Sequence, residues 1–155
     1  MAKNSFTAFS DKLSQMQQNL DKELEMRIRF RSEILAGDAR TACPVMMGNL
    51  RNSIEGFVES DKDEITGGAV TNNEYATYVE FGTGPTGTKT GGHPLDAELG
   101  VVRKSQPWFA KIPDVGYRYV HGQKANPYMY TAMKQNEKDI IDEFGEALKE
   151  VIKSG

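Results

Sequence analysis

From Ser5 to about Ala42 the apolar residues Phe6, Phe9, Leu13, Met16, Leu20, Leu24, Ile28, Leu35 and Ala39 recur mostly at steps of three and four. That spacing gathers them on one stripe and predicts a single amphipathic helix over 5–42. Asn4 or Ser5 is placed to cap its start, Gly37 to break it near its end, and Pro44 forbids smooth continuation. Such a helix measures roughly 55 Å, whereas a compact chain of 155 residues is about 40 Å across. Either it bends or part of it leaves the body. A projecting apolar stripe needs a cover, and the simplest cover is a neighbouring subunit.

At 155 residues and 38% hydrophobic content the chain is long enough for one ordinary core and short for two, so one domain over 1–155 is expected. Its 19 basic and 22 acidic residues leave a formal charge of -3, which argues against coating nucleic acid over a broad surface. The one cysteine, Cys43, allows no internal disulfide or zinc cluster; it reads as a small buried hydrophobe in a chain suited to a reducing cytosol. Nowhere is there the run of about 20 apolar residues that spanning a bilayer takes, so no membrane association and a soluble product are expected.

Leu50, Ile54, Phe57 and Val58, then Ile65, Ala69 and Val70, predict two antiparallel strands over 50–59 and 64–71. Gly56, Gly67 and Gly68 interrupt the alternation and point to a bulge or a close backbone approach. The turn is acidic, with Glu55, Glu59, Asp61, Asp63 and Glu64 against Lys62, while 89–124 leans basic. These charges are either solvated or complementary between neighbouring subunits. Residues 74–81 predict a short helix, with Thr71 and Glu74 at capping-box spacing, Asn72 or Asn73 as other caps, and Gly82 at its C-terminal end. Glu80 would face the unfavourable pole of that helix and needs a partner, for which Arg51 and Arg118 are candidates.

The segment from Gly82 to Pro113 is too rich in glycine, threonine and proline for regular structure and predicts a long mobile loop, with Val101-Val102 as a short strand within it. Val115–Val120 supplies a third strand. Asn126-Pro127 then offers an N-cap and a first-turn proline for a second amphipathic helix over 126–152. The fold class is α+β: a small twisted antiparallel sheet packed with a long N-terminal and a long C-terminal helix, one short helix and a long flexible loop inserted.

No catalytic constellation emerges. Gly82, Gly84 and Gly87 fit G-x-G-x-x-G, but Pro85 follows, and from Gly82 the lysine of a phosphate-binding loop arrives one place late, at Lys89. A flexible contact loop is the better reading, with a nucleotide-binding enzyme as a distant alternative. His93 and His121 lack metal-ligand spacing, so neither metal nor cofactor is expected. Trp108 either pins its loop to the core or anchors an interface.

Three segments in order carry a family resemblance: Gly48-x-Leu50-Arg51-x-Ser53-Ile54; Tyr75-x-x-Tyr78-Val79-Glu80-Phe81-Gly82-Thr83-Gly84; and Ala125-x-Pro127-Tyr128. They resemble the neck, or tail-completion, proteins that join head to tail in long-tailed bacteriophages, with Tyr128 where that family usually has phenylalanine. The resemblance implies a structural virion protein made in the host cytoplasm. It also implies a ring, commonly of six subunits, between a head-side connector or adaptor ring and the tail tube or tail terminator. Genomic DNA would pass through its channel without specific binding, and the acidic tip would face that channel. The loop would be disordered in the free subunit and order on docking, with Lys89, His93, Trp108 and Phe109 as candidate partner contacts. A tail terminator, a minor tail protein or a tail-assembly factor is the alternative.

Overall fold

A computed structural model describes residues 2–45, 47–62, 64–112 and 114–154. In chain order it contains α1 (Ala2–Ala42), α2 (Gly48–Asn52), β1 (Ile54–Ser60), β2 (Ile65–Thr71), α3 (Ala76–Phe81), α4 (Gly84–Lys89), α5 (Asp96–Leu99), β3 (Trp108–Ile112), β4 (Gly116–Val120) and α6 (Tyr128–Ser154). The fold is α+β as the patterning predicts, with the strands in two separate two-stranded antiparallel sheets, β1–β2 and β3–β4. The chain divides into two compact units, one of residues 1–38, 55–70 and 133–155 and one of residues 39–54 and 71–132.

In the first unit α1 and α6 run antiparallel. Arg27 pairs with Glu150 at 2.6 Å and Glu143 at 3.5 Å, Arg31 pairs with Glu143 and with Asp139 at 3.6 Å, and Asn136 donates to Asp38 at 2.7 Å. Such partly exposed ion pairs contribute about 0–1 kcal/mol each; the fully buried Ala36 and Ala147 mark where the helices pack without water. The close approach expected at Gly56 and Gly67 is present. A Cβ on Gly56 would lie 2.8 Å from the Ser32 carbonyl carbon, and one on Gly67 would strike the Ile28 side chain. At the hairpin tip Asp61 N–H donates to Glu64 O at 2.8 Å and Lys62 N–H to the Asp61 carboxylate at 2.7 Å, while Asp63 lies outside the described residues.

Several expected boundaries shift. α1 starts at Ala2, so Asn4 and Ser5 fall inside its first turns rather than capping it. It runs unbroken through Gly37, whose cost of about 1 kcal/mol in a helix is outweighed by burial of Leu35, Ala36 and Ala39 around it. The strand expected from residue 50 begins at Ile54, because Gly48–Asn52 forms α2 and Ser53 closes it, its hydroxyl donating to Leu50 O at 2.8 Å.

In the second unit, the segment expected to lack regular structure holds α4, α5 and β3. Pro85 stands at the start of α4, where its missing N–H costs nothing. Val101-Val102 is not a strand. The predicted third strand is β4, paired with β3 in the register Trp108↔Val120, Phe109↔Tyr119 and Lys111↔Tyr117. The capping box at Thr71 and Glu74 does not form. Asn73 instead accepts from Tyr75 N–H at 2.9 Å in an Asx turn that leads into α3.

Candidate docking site around Glu80

The first turn of an α-helix leaves backbone N–H groups without partners, and at α6 a distant segment supplies the acceptor. One Glu80 carboxylate oxygen accepts from Met129 N–H at 2.9 Å, and the other accepts from Tyr130 N–H at 3.0 Å. A negative charge here also meets the favourable pole of α6. The second oxygen additionally receives His93 Nε2–H at 3.0 Å. Leu95 N–H donates to His93 Nδ1 at 3.0 Å, which makes Nδ1 the acceptor and Nε2 the nitrogen that carries hydrogen. Phe81 and Tyr130 flank the imidazole, with ring centroids 4.4 and 5.3 Å away.

This arrangement corrects three expectations. Glu80 does need a partner, but the partners are His93 and the α6 backbone rather than Arg51 or Arg118. Asn126 does not cap α6 by its side chain; its backbone carbonyl accepts from Tyr128 N–H at 2.8 Å. His93, expected among the partner contacts, is only 4% exposed and turned inward.

The glycines of the motif serve the same junction. Thr83 and Gln123 exchange backbone hydrogen bonds at 2.9 and 3.1 Å, and Asn126 N–H donates to Val79 O at 2.8 Å. Gly82 and Gly122 hold positive φ, 72° and 82°. A Cβ on Gly82 would sit 2.5 Å from Ala125 N, and one on Gly122 would run into Thr83 O. Gly84, also at positive φ, lies under the Trp108 ring, where a Cβ would come within 2.7 Å. The G-x-G-x-x-G spacing is thus used for backbone packing. Arg103 closes the other side, donating Nε–H to Phe81 O at 3.0 Å and holding Asp96 with two bonds of 2.6 and 2.7 Å. Arg103, followed by the His93 N–H bond, holds the Asp96 carboxyl below its ordinary range.

Behind the junction lie Cys43 and Tyr128, both buried. Burial raises the Cys43 thiol pKa, and burial followed by the nearby Glu80 charge raises that of the Tyr128 phenol. The Tyr128 hydroxyl has no hydrogen-bond partner among the described residues.

In front of it opens a cleft of about 950 Å³, bordered by Tyr75, Tyr78, Phe81, Leu99, Val102 and Trp108. Tyr75, Tyr78 and Leu99 are exposed and Val102 is 93% exposed. Lys104 Nζ sits 5.1 Å over the Trp108 ring. Exposed aromatic and aliphatic groups around an open cleft suit a protein surface better than a charged metabolite. Among the described residues no three His, Cys, Asp or Glu side chains are grouped to hold a metal ion, and no helix is long and apolar enough to cross a membrane.

The structure brings Tyr75, Tyr78, Phe81, Gly82, Thr83, Gly84 and Trp108 to the cleft and Glu80, Pro127 and Tyr128 to the helix start beside it. Leu50 is buried, while Gly48 and Arg51 line neither feature, Lys89 is exposed at the end of α4, and Phe109 is exposed on β3. Sequence reasoning missed Leu99 and Val102 as cleft residues. Two adjacent valines signalled a strand and gave no hint of surface.

Residues 7–82 match the HK97-gp10-like family, described as "Bacteriophage HK97-gp10, putative tail-component". Over that segment, just under half of the chain, the sequence is similar to this family. The family points to a structural phage-tail component, hence a virion protein that meets other virion proteins. The match takes in Gly48–Ser53 and Tyr75–Gly82 and stops just before Thr83, whose backbone pairs with Gln123. Comparisons with curated proteins and with solved structures return no match.

Proposed function

We propose that this chain completes a phage tail and joins it to the head as a neck component, with copies arranged in a ring, commonly six. The observation that carries the reading is the pairing of a rigid junction with an open apolar cleft. Glu80, His93 and the start of α6 anchor α3, whose Tyr78, Val79 and Phe81 border the cleft, and Tyr75, Tyr78, Leu99 and Val102 are left exposed around it. A rigid wall spares the ordering cost that weakens most protein docking. The proposed neighbours are a head-side connector or adaptor ring and the tail tube or terminator, and DNA passes without specific contacts. No catalytic role enters this reading.

Residues 82–113 are proposed to tighten on docking. Because α4, α5 and β3 already lie in this stretch, the gain would be stabilisation of formed elements rather than folding from coil. Hydrogen exchange should slow there when the protein joins the particle; equal protection in the free subunit would defeat this part. The family description names a tail component without naming a neck, which keeps a tail terminator as the second reading. Light scattering separates the two. A monomer that becomes a ring only on tails or filled heads supports the neck, and a stable ring that caps isolated tails without heads supports the terminator.

A further inference from the structure

The two hairpins carry opposite, unspent chemistry. On β3–β4 the register places Phe109, Lys111, Tyr117 and Tyr119 on one face. Phe109 stacks on Tyr117 at 5.4 Å and tilts against Tyr119 at 5.3 Å, yet the three are 61%, 59% and 71% exposed. Lys111 and Arg118 are exposed, and among the described residues neither forms an ion pair; Asp114 at the turn is the one carboxylate on this hairpin. That face therefore carries aromatic rings, the Lys111 ammonium and phenolic O–H donors, while Arg118, opposite Ala110, projects on the other face. An isolated two-stranded ribbon is marginal in water, so an aromatic ladder left on its outer face is better stabilised by a cover. Tyrosines beside apolar rings are among the residue types enriched at protein interfaces.

The β1–β2 hairpin offers the complement. Glu55, Glu59, Asp61 and Glu64 are all exposed, and among the described residues none is ion-paired. Lys62 is the one cation beside them. Ionised carboxylates only accept hydrogen bonds, and the other hairpin supplies donors.

We propose that the aromatic and basic face of β3–β4 docks the acidic β1–β2 tip of a second copy of this chain. Two different patches then meet, so each copy has one of each free for the next neighbour, the arrangement that closes into a ring when the rotation allows it. The proposal rests on the assembly reading only in supposing that copies meet, and it takes the acidic tip away from the DNA channel.

The test uses two populations of the full chain. One is isotope-labelled and observed by NMR; the other is unlabelled and carries a nitroxide on Ser60→Cys, with the buried Cys43 left in place. At low salt the label should erase amide signals at 109–111 and 117–119 of the observed chain, and about 1 M salt, with a screening length of about 3 Å, should restore them. Because label and signal sit on different molecules, contact within one chain produces no effect. K111E in the observed chain should abolish the loss, and pairing it with an E59K/E64K labelled chain should bring it back. No signal loss at the β3–β4 hairpin, or loss indifferent to charge reversal, overturns the proposal. Ring formation by light scattering without that signal would leave the neck reading standing and remove only this interface.

Discussion

Glu80 shows how much a single side chain can organise. Its carboxylate accepts three hydrogen bonds from two separate segments, the His93 bond buried and the two backbone bonds partly buried. Glu80→Ala leaves Met129 N–H, Tyr130 N–H and His93 Nε2–H without acceptors and should cost about 2–4 kcal/mol. Urea unfolding checks this, and a loss under about 1 kcal/mol would show that water replaces the carboxylate easily. Tyr128 predicts the opposite sign. Its hydroxyl is buried without a partner at 1% residue exposure, so Tyr128→Phe should stabilise by about 1 kcal/mol. A destabilised variant in the same urea series would mean that the hydroxyl is satisfied by bound water. Charge logic made the need for a partner at Glu80 legible in the sequence, but not the partner's identity. The start of α6 lies almost fifty residues away, and no local rule ties it to α3.

At the scale of elements, periodicity succeeded wherever one face is buried along a sufficient length. α1 and α6 were legible for that reason, whereas the strand expected over Val115–Val120 was legible from its β-branched and aromatic residues although β4 is largely exposed. The stretch from Gly82 to Lys89 was not, because its glycines are chosen by contacts with Gln123, Ala125, His121 and Trp108 that local propensity cannot see. Gly82→Ala and Gly122→Ala should each destabilise by about 1–3 kcal/mol, since each adds both a clash and an unfavourable positive φ. Thermal melts that stay at the wild-type value would show that the backbone pairing of Thr83 with Gln123 is loose. The α5 segment also has a pH signature. Arg103, followed by the His93 N–H, holds the Asp96 carboxyl pKa below the ordinary carboxylate range. A depressed carboxylate contributes stability that is complete above the unfolded value and fades as pH falls through the lower folded one. Between pH 5 and pH 3 the wild type should therefore lose stability that Asp96→Asn has already lost at neutral pH. The difference between the two proteins should narrow on acidification and shrink in salt, because Asp96 is partly exposed.

At the scale of the whole molecule the question is what becomes of apolar surface that the chain itself leaves uncovered. Residues 6–15 of α1 are all exposed, including Phe6 at 75%, Phe9 and Leu13. The helical repeat that made α1 predictable thus extends beyond the part that its own unit buries, where Leu35 and Ala36 are sealed. Replacing exposed side chains away from caps and cores usually changes stability by less than about 0.5 kcal/mol. Substituting Phe6, Phe9 and Leu13 with serine should accordingly leave the urea midpoint almost unmoved. Assembly should respond differently, because three apolar groups at helical spacing form the kind of stripe that docks into a groove on another protein. The expected outcome is a folded monomer that no longer binds tails or filled heads in co-sedimentation. If it still binds as the wild type does, the stripe is not the docking surface and the Tyr75–Val102 cleft becomes the surface to disrupt next. If instead the midpoint falls by several kcal/mol equivalents, the stripe is covered within the folded chain in solution. Its patterning would then belong to folding rather than to assembly.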